Sequence, residues 1–169
     1  MNHKTYDIVK IILFFVFLVL LFTQCSIQKE GTSPKNTGKD NKELIKYAEK
    51  FKGVPYRYGG KLPQTGFDCS GFIAFVYKKF DIVLPPSTAG LIKIGDKIAL
   101  NKVRAGDLLF FKGNNKKNST VGHVALVTEN KSGIVKIIHA TSSKGVMTEI
   151  YNYSTYWKER FLFARRVIK

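Results

Sequence analysis

The strongest constraint on the fold is a change in residue pattern near the middle of the chain. Before residue 95, apolar side chains recur at helical spacing, as at Leu44, Tyr47, Ala48 and Phe51. After residue 105, short apolar runs alternate with polar turns, which is typical of strands. Helices followed by a run of strands predict a single α+β domain, in which helices pack on an antiparallel sheet.

Three helices are predicted in the first half. The first begins with a capping box formed by Asp40 and Glu43 and ends at Gly53. The second covers residues 69–80, and a short third helix lies within residues 87–94. The glycine- and proline-rich segment between the first two helices is predicted to be a loop.

Four strands are predicted in the second half, at residues 106–111, 122–128, 134–139 and 161–167. A short turn at residues 130–133 joins the second of these to the third, so we expect the two to pair. The aromatic residues of this half are expected to pack in the core and against the sheet rather than to bind sugars; they are Phe110, Phe111, Tyr151, Tyr153, Tyr156, Trp157 and Phe161.

The first 25 residues have the features of a lipoprotein-type signal peptide. A membrane-spanning helix needs roughly 20 apolar residues, so the shorter apolar run at residues 11–22 fits a secretory signal better. The segment ending at Cys25 resembles a bacterial lipoprotein cleavage site, although Gln24 and Phe22 depart from the usual small residue and leucine. We expect Cys25 to be lipidated; the alternatives are an uncleaved anchor and a plain signal.

Residues 26–39 are polar, contain two glycines and a proline, and lack an apolar period, which indicates a flexible tether. A tether of this length has a root-mean-square reach of about 20 Å. Residues 40–169 are predicted to form a single domain, because they are about the commonest size for one domain. We therefore expect a membrane-anchored lipoprotein on the extracytoplasmic side of a bacterial cell envelope, acting as a monomer.

The chain is strongly basic, with a formal net charge of +16. Such a charge attracts polyanions, which outside the cytoplasm are anionic lipid headgroups and acidic wall polymers. Nucleic acid is not an expected partner of a secreted, tethered chain. The basic residues are scattered rather than clustered, so a solvated surface explains much of the charge equally well.

The residues that indicate chemistry are one cysteine and two histidines. Outside the leader, Cys69 is the only cysteine, so it has no disulfide partner within the mature chain. His123 and His139 each lie beside a predicted strand. A lone thiol with histidines distant in sequence is typical of a cysteine nucleophile, because folding brings the base close. If the two strands pair, the rings lie side by side, one acting as base and the other orienting it.

Two features are expected to lower the pKa of Cys69. The thiol lies at a predicted helix start, where the backbone dipole favours negative charge. An imidazolium on the facing strand would stabilise the thiolate further. Asp68 acts against this, since a carboxylate beside a thiol raises its pKa unless it points away. The backbone N–H of Cys69 is a natural oxyanion donor.

Five blocks of sequence, in order, resemble the NlpC family of bacterial cell-wall cysteine peptidases. Three are Asp-Cys-Ser-Gly-Phe at residues 68–72, Gly-His-Val-Ala at 122–125 and Ile-His-Ala at 138–140. The others are Pro-Tyr-Arg-Tyr-Gly-Gly at 55–60 and Ala-Gly-Asp-Leu-Leu-Phe-Phe at 105–111. The resemblance implies a papain-like fold and hydrolysis of peptide bonds in peptidoglycan stems or cross-links.

By position, the resemblance implies that Cys69 is the nucleophile, His123 the general base and His139 the orienting residue. The resemblance also implies substrate-binding positions, which in some members line the substrate site: Tyr56, Asp68 and Ser70. Tyr56 is expected to help hold the oxyanion, and Asp68 and Ser70 are expected to bind a free amino group of the stem peptide. A lone domain behind a lipidated leader is most similar to the Spr-type lipoprotein members, which favours the cross-link over the bond between D-glutamate and the diamino acid.

Other functions stay open on the sequence alone. One is a papain-like acyl or amide transferase that uses the same Cys–His pair, and another is a non-catalytic wall-binding module. A Cys-His-His zinc site is a further alternative, but the chain lacks the short chelating pair usual at structural zinc sites. We expect no metal and no cofactor.

Overall fold

A computed structural model describes residues 38–113 and 119–168 of the chain, all within one compact unit, residues 36–169. The predicted signal peptide, the lipidation residue Cys25 and nearly all of the tether lie outside the described residues. Among the residues that are described, no helix is long and apolar enough to cross a membrane.

Four α-helices are described: α1 (Gly38–Glu49), α2 (Cys69–Lys78), α3 (Thr88–Leu91) and α4 (Thr155–Arg160). The first three confirm the predicted helices, and the Ser87 side chain caps α3. Because α1 already begins at Gly38, Asp40 lies inside the helix and the predicted capping box is wrong. The helix α4 was not predicted, since its six residues are too few to show an apolar period.

The main sheet has six strands in the order β3-β8-β4-β5-β6-β7, and every neighbouring pair is antiparallel. Its strands are β3 (Asp96–Ile98), β4 (Asp107–Lys112), β5 (Val121–Lys131), β6 (Ile134–Thr141), β7 (Gly145–Ile150) and β8 (Phe161–Arg166). The strands β1 (Lys61–Leu62) and β2 (Gly66–Phe67) form a separate small hairpin in the predicted loop.

The predicted pairing of β5 with β6 is confirmed, and its turn is tighter than expected. Ser132 and Gly133 both have positive φ, 51° and 84°, as a two-residue hairpin turn requires. Asn130 Oδ1 accepts a hydrogen bond from the Gly133 N–H at 3.1 Å, which closes the turn. The turn fixes the register of the two strands, and with it the positions of His123 and His139.

Both faces of the main sheet are covered. On one face, a cluster containing Leu108, Phe110, Val124 and Ile138 packs with side chains of α1 and α2. On the other, a second cluster forms around Leu109, Phe111, Ala125, Val127 and Ile137, with Trp157 of α4 against it. The expected architecture, helices packed on an antiparallel sheet in one small domain, is therefore confirmed.

The predicted packing role of the aromatic residues is only partly confirmed. Phe110 and Phe111 are fully buried, and Tyr151 is nearly so. Tyr153 and Tyr156 are exposed, so the prediction is wrong for these two. Both lie in or just before α4, which covers the sheet with a single short turn and leaves its outer side chains in solvent.

Candidate active site

Asp68 fixes the start of α2 and the loop that precedes it. Its Oδ1 accepts hydrogen bonds from the Gly71 N–H at 2.6 Å and the Ser70 hydroxyl at 2.9 Å. Its Oδ2 accepts from the Gly59 N–H at 2.9 Å. The carboxylate is thus the amino-terminal cap of the helix, the arrangement that satisfies backbone donors with no partner inside the helix.

The glycine of the Asp-Cys-Ser-Gly sequence is needed for close packing. A Cβ at Gly71 would overlap the carbonyl oxygen of Gly60, and a Cβ at Gly60 would overlap that of Gly66. The first turn of α2 therefore lies directly against the backbone of the loop. This contact, with the cap at Asp68, sets where the residue between them, Cys69, begins the helix.

Cys69 is the first residue of α2, is 7% exposed and has a free thiol. Burial is the largest influence on the thiol and raises its pKa to about 11, and the Asp68 carboxylate raises it further. Hydrogen bonds from the backbone N–H groups of Val124 and Ser70 act in the opposite direction. The expected lowering of the thiol pKa is therefore wrong, because desolvation outweighs the helix start.

The two histidines come together as expected. His123 lies on β5 and His139 on β6, and the distance from His123 Nε2 to His139 Nδ1 is 3.0 Å. Burial lowers the pKa of His123 well below its ordinary value of 6.5, and the neighbouring His139 lowers it further. In the substrate-free protein at neutral pH, the thiol is therefore protonated and His123 is uncharged.

The thiol lies against the backbone at the start of β5. One of the backbone N–H groups that contact the Cys69 sulfur belongs to Val124, the residue directly after His123. A Cβ at Gly122, the residue directly before His123, would overlap Gly113 after β4, so these strand ends approach closely. The structure thus places the Cys69 sulfur against the backbone next to His123, whose ring contacts His139.

Tyr56 lies close enough to Cys69 for the two side chains to interact electrostatically. Burial raises the pKa of its phenol, with smaller contributions from Cys69 and Asp68. An isolated backbone bridge joins Tyr56 to Phe67 of β2, and this holds the loop against the strand that leads into α2. The phenol is therefore protonated over the neutral range and can donate a hydrogen bond.

Glu149 and Trp157 were not predicted as site residues. Glu149 Oε1 lies 2.7 Å from His139 Nε2, and the Trp157 Nε1–H donates to the same oxygen at 2.8 Å. Trp157 also stacks on His123, with 4.6 Å between the ring centroids. The sequence feature that could have indicated Glu149 is the run Gly-Val-Met-Thr-Glu-Ile of β7, but its polar residues obscure the strand pattern. Trp157 was predicted only to pack in the core or against the sheet.

A cleft of about 570 Å³ opens beside the imidazole pair. Its residues include Tyr56, His123, Glu149, Tyr156 and Trp157, together with Lys112 and Lys144. Within the described parts of the chain, no group of three His, Cys, Asp or Glu side chains is placed to hold a metal ion.

The sequence profile of the NlpC/P60 family matches residues 53–166. The chain is also 38% identical over 120 residues to the probable endopeptidase NlpC of Escherichia coli, an alignment that covers 70% of this chain and 73% of that protein. It is 34% identical over 166 residues to a γ-DL-glutamyl hydrolase of Bacillus subtilis, covering 98% of this chain. The chain spans only 37% of the length of that hydrolase.

A solved structure gives the same result for the fold. A crystal structure of a Staphylococcus aureus protein described as similar to a lipoprotein of the NLP/P60 family superposes with a TM-score of 0.66 at 34% identity. The match covers 82% of this chain and 45% of the other. The papain-like fold implied by the sequence is thereby confirmed, and the chain belongs to the NlpC/P60 family.

Proposed function

We propose that this protein is a cysteine peptidase that hydrolyses peptide bonds of peptidoglycan, in stem peptides or cross-links. The observation that carries the proposal is a free thiol at a helix start, whose sulfur contacts the backbone N–H of the residue directly after His123, together with the contact of His123 with His139 and the place of His123 in the wall of an open cleft. Membership of a family with relatives named as a γ-DL-glutamyl hydrolase and a probable endopeptidase supports the same reaction.

In this proposal Cys69 is the nucleophile and His123 the general base. His123 Nε2 is occupied by His139, so Nδ1 is the nitrogen left to take the thiol proton. The proton moves from sulfur to Nδ1 as sulfur bonds to the carbonyl carbon, because neither group is charged beforehand. The imidazolium then protonates the leaving amine, and water hydrolyses the thioester. His139 orients His123 during both steps.

Charge that develops on the carbonyl oxygen needs hydrogen-bond donors. The backbone N–H of Cys69 at the start of α2 is one, and the protonated Tyr56 hydroxyl is the second. Both belong to elements fixed by Asp68 and by the bridge from Tyr56 to Phe67, so they need little reorganisation during the reaction.

We assign to Asp68 and Ser70 the binding of a free amino group of the stem peptide. Asp68 Oδ2 accepts one protein hydrogen bond, from Gly59, and a carboxylate oxygen can accept a second from an ammonium group. On the cleft wall, Lys112 and Lys144 favour a substrate that carries carboxylates, as peptidoglycan stem peptides do.

The remaining part of the proposal is the location of the protein. Residues 1–25 are a lipoprotein signal, Cys25 carries the lipid, and residues 26–39 tether the domain to the outer side of a membrane. The protein acts there as a monomer on peptidoglycan peptides. The basic charge of the chain favours its attraction to acidic wall polymers.

Replacing Cys69 tests the peptidase function. We expect Cys69→Ala to abolish the release of soluble fragments from purified sacculi while leaving the fold intact, because removal of the nucleophile costs several orders of magnitude in rate. Mass spectrometry of the muropeptides identifies the bond that the unchanged protein cleaves. Ala74→Ser, on a partly exposed position of the same helix, is the matched control.

Equal release by the Cys69→Ala variant and the unchanged protein would overturn the assignment of the nucleophile. Unchanged muropeptides together with a modified lipid or protein would instead indicate a transferase. Loss of activity in chelator, restored by zinc, would indicate a metal site.

A further inference from the structure

We propose that Glu149 is a positioning residue of the catalytic site. It fixes which nitrogen of each histidine carries the hydrogen, and it thereby leaves His123 Nδ1 unprotonated and able to act as the base. The inference rests on the peptidase function proposed above. Glu149 adds a carboxylate to the predicted Cys69, His123 and His139, and it acts through the two rings rather than on the substrate.

The first step of the argument is the position of the carboxylate. Glu149 Oε1 lies 2.7 Å from His139 Nε2, and His139 is fully buried. Among the described residues no better-aligned partner meets His139 Nε2, and an ionised carboxylate accepts but does not donate, so it would repel a bare nitrogen lone pair at this distance. Interaction with His139 is the largest of the effects that lower the pKa of Glu149, so the carboxylate is ionised at neutral pH. His139 Nε2 therefore carries a hydrogen.

The second step follows from the chemistry of neutral imidazole, which has one N–H donor and one acceptor nitrogen. With the hydrogen on Nε2, His139 Nδ1 is an acceptor. The group 3.0 Å away, His123 Nε2, must then be the donor. His123 Nδ1 is left unprotonated, which is the state that a base requires. One carboxylate thus sets the tautomers of two rings in series.

The third step concerns how Glu149 itself is held. The Trp157 Nε1–H donates to Oε1 at 2.8 Å, so the carboxylate oxygen is fixed from a second element. The same indole stacks on His123, with an angle of 22° between the ring planes, and meets His139 edge-on at 5.1 Å between centroids. Trp157 therefore joins α4 to the histidines on β5 and β6 through the carboxylate on β7.

Other charges also face this carboxylate. Lys144, in the turn before β7, lowers the pKa of Glu149, and Lys112 of β4 lines the same cleft. Tyr56 lies across the cleft and is uncharged at neutral pH. Glu149 is accordingly the acidic group in contact with the histidine pair, and its negative charge stabilises the imidazolium formed when Cys69 gives up its proton.

The test compares the pH dependence of three variants in the full chain. Glu149→Gln keeps an acceptor oxygen but removes the charge, so the acid limb of kcat/KM should move to lower pH, because the uncompensated histidines are harder to protonate. Glu149→Ala also removes the acceptor, and we expect kcat to fall by about tenfold or more with little change in KM. Glu149→Asp should recover part of this activity. Glu43→Gln, at an exposed site on α1, is the control.

A second variant and a second measurement guard against simple misfolding. Trp157→Phe keeps an aromatic ring beside His123 but removes the donor to Glu149, and it should move the acid limb in the same direction. Nitrogen-15 NMR of the ring atoms, recorded on Cys69→Ala protein, should show His123 with its hydrogen on Nε2, and a mixture of tautomers once Glu149→Ala is added.

The two hypotheses fail in different ways. An unmoved acid limb in Glu149→Gln, or unchanged tautomers in Glu149→Ala, would overturn the role of Glu149 while leaving an active peptidase. Full activity of Cys69→Ala would overturn the cysteine nucleophile, and with it the proposed cysteine peptidase, whatever the tautomers show.

Discussion

At the scale of single residues, the main result is a difference between the expected and observed state of the thiol. The sequence places Cys69 at a helix start, which favours a thiolate. In the structure, the side chain is buried and its pKa is raised to about 11, while the pKa of His123 is lowered. In the proposed mechanism, Cys69 and His123 therefore begin as neutral partners, and His123 removes the proton only as attack proceeds.

This state has a consequence for alkylation. With a raised pKa, the thiol stays protonated below that value and loses its proton only as the pH rises through it. The iodoacetamide reaction rate of Cys69 should therefore increase about tenfold per pH unit between pH 7 and 9. The measurement needs a Cys25→Ser background, in which Cys69 is the only thiol.

Two further results of the same experiment are informative. A rate that is already constant between pH 6 and 8 would mean that a thiolate–imidazolium pair forms without substrate, contrary to the burial argument. A His123→Gln variant serves as control, since its thiol keeps the desolvated environment and should show the same slope.

At the scale of elements, the start of α2 depends on a contact that leaves no space for a side chain. A Cβ at Gly71 would overlap the Gly60 carbonyl oxygen. Gly71→Ala should therefore lower the free energy of unfolding by about 1–3 kcal/mol, the usual cost of overpacking, and reduce activity by displacing Cys69. Urea denaturation measures the free energy of unfolding, and a sacculus assay measures the activity. Ala74→Ser is the control. Unchanged stability and activity would show that the loop can yield at Gly60.

How much of the fold could be predicted depended on how clearly each element shows its period. The helix α2 and the strands β4, β5, β6 and β8 have strong apolar patterns, and all were found within a few residues of their bounds. The strand β3 has two exposed polar residues among its three, and its existence depends on pairing with β8. No local pattern can reveal such a strand.

Prediction of the site residues likewise depended on how clearly the local sequence indicates each one. Cys69, His123 and His139 were proposed from the sequence because residue type and flanking blocks carry the signal. Glu149 lies on β7, an edge strand whose polar residues mask the alternation, so its contact with His139 depends on strand register. Trp157 lies on the six-residue helix α4, and only the packing of that helix places the indole on the histidine.

At the scale of the whole molecule, the proposed lipid anchor determines where the protein acts. Cys25→Ser removes the thioether attachment point, so we expect the protein to move from the membrane fraction to the soluble fraction after cell disruption and ultracentrifugation. Ser26→Ala, the adjacent position, is the control. Sacculus cleavage by the purified variant should be unchanged, because the domain is separate in sequence. Retention of the Cys25→Ser variant in membranes would contradict lipidation and favour an uncleaved anchor.

The order of strands in the main sheet also governs when this protein can acquire its structure. Strand β8, the last in sequence, lies between β3 and β4, where its Arg166 forms two hydrogen bonds with the buried Asp107 of β4 at 2.8 and 2.9 Å. A growing polypeptide therefore cannot close the sheet until residue 166 has left the ribosome. The sheet that carries His123 and His139 is therefore finished only after residue 166 has been synthesised, and the strands before it wait as an open, unpaired edge until then.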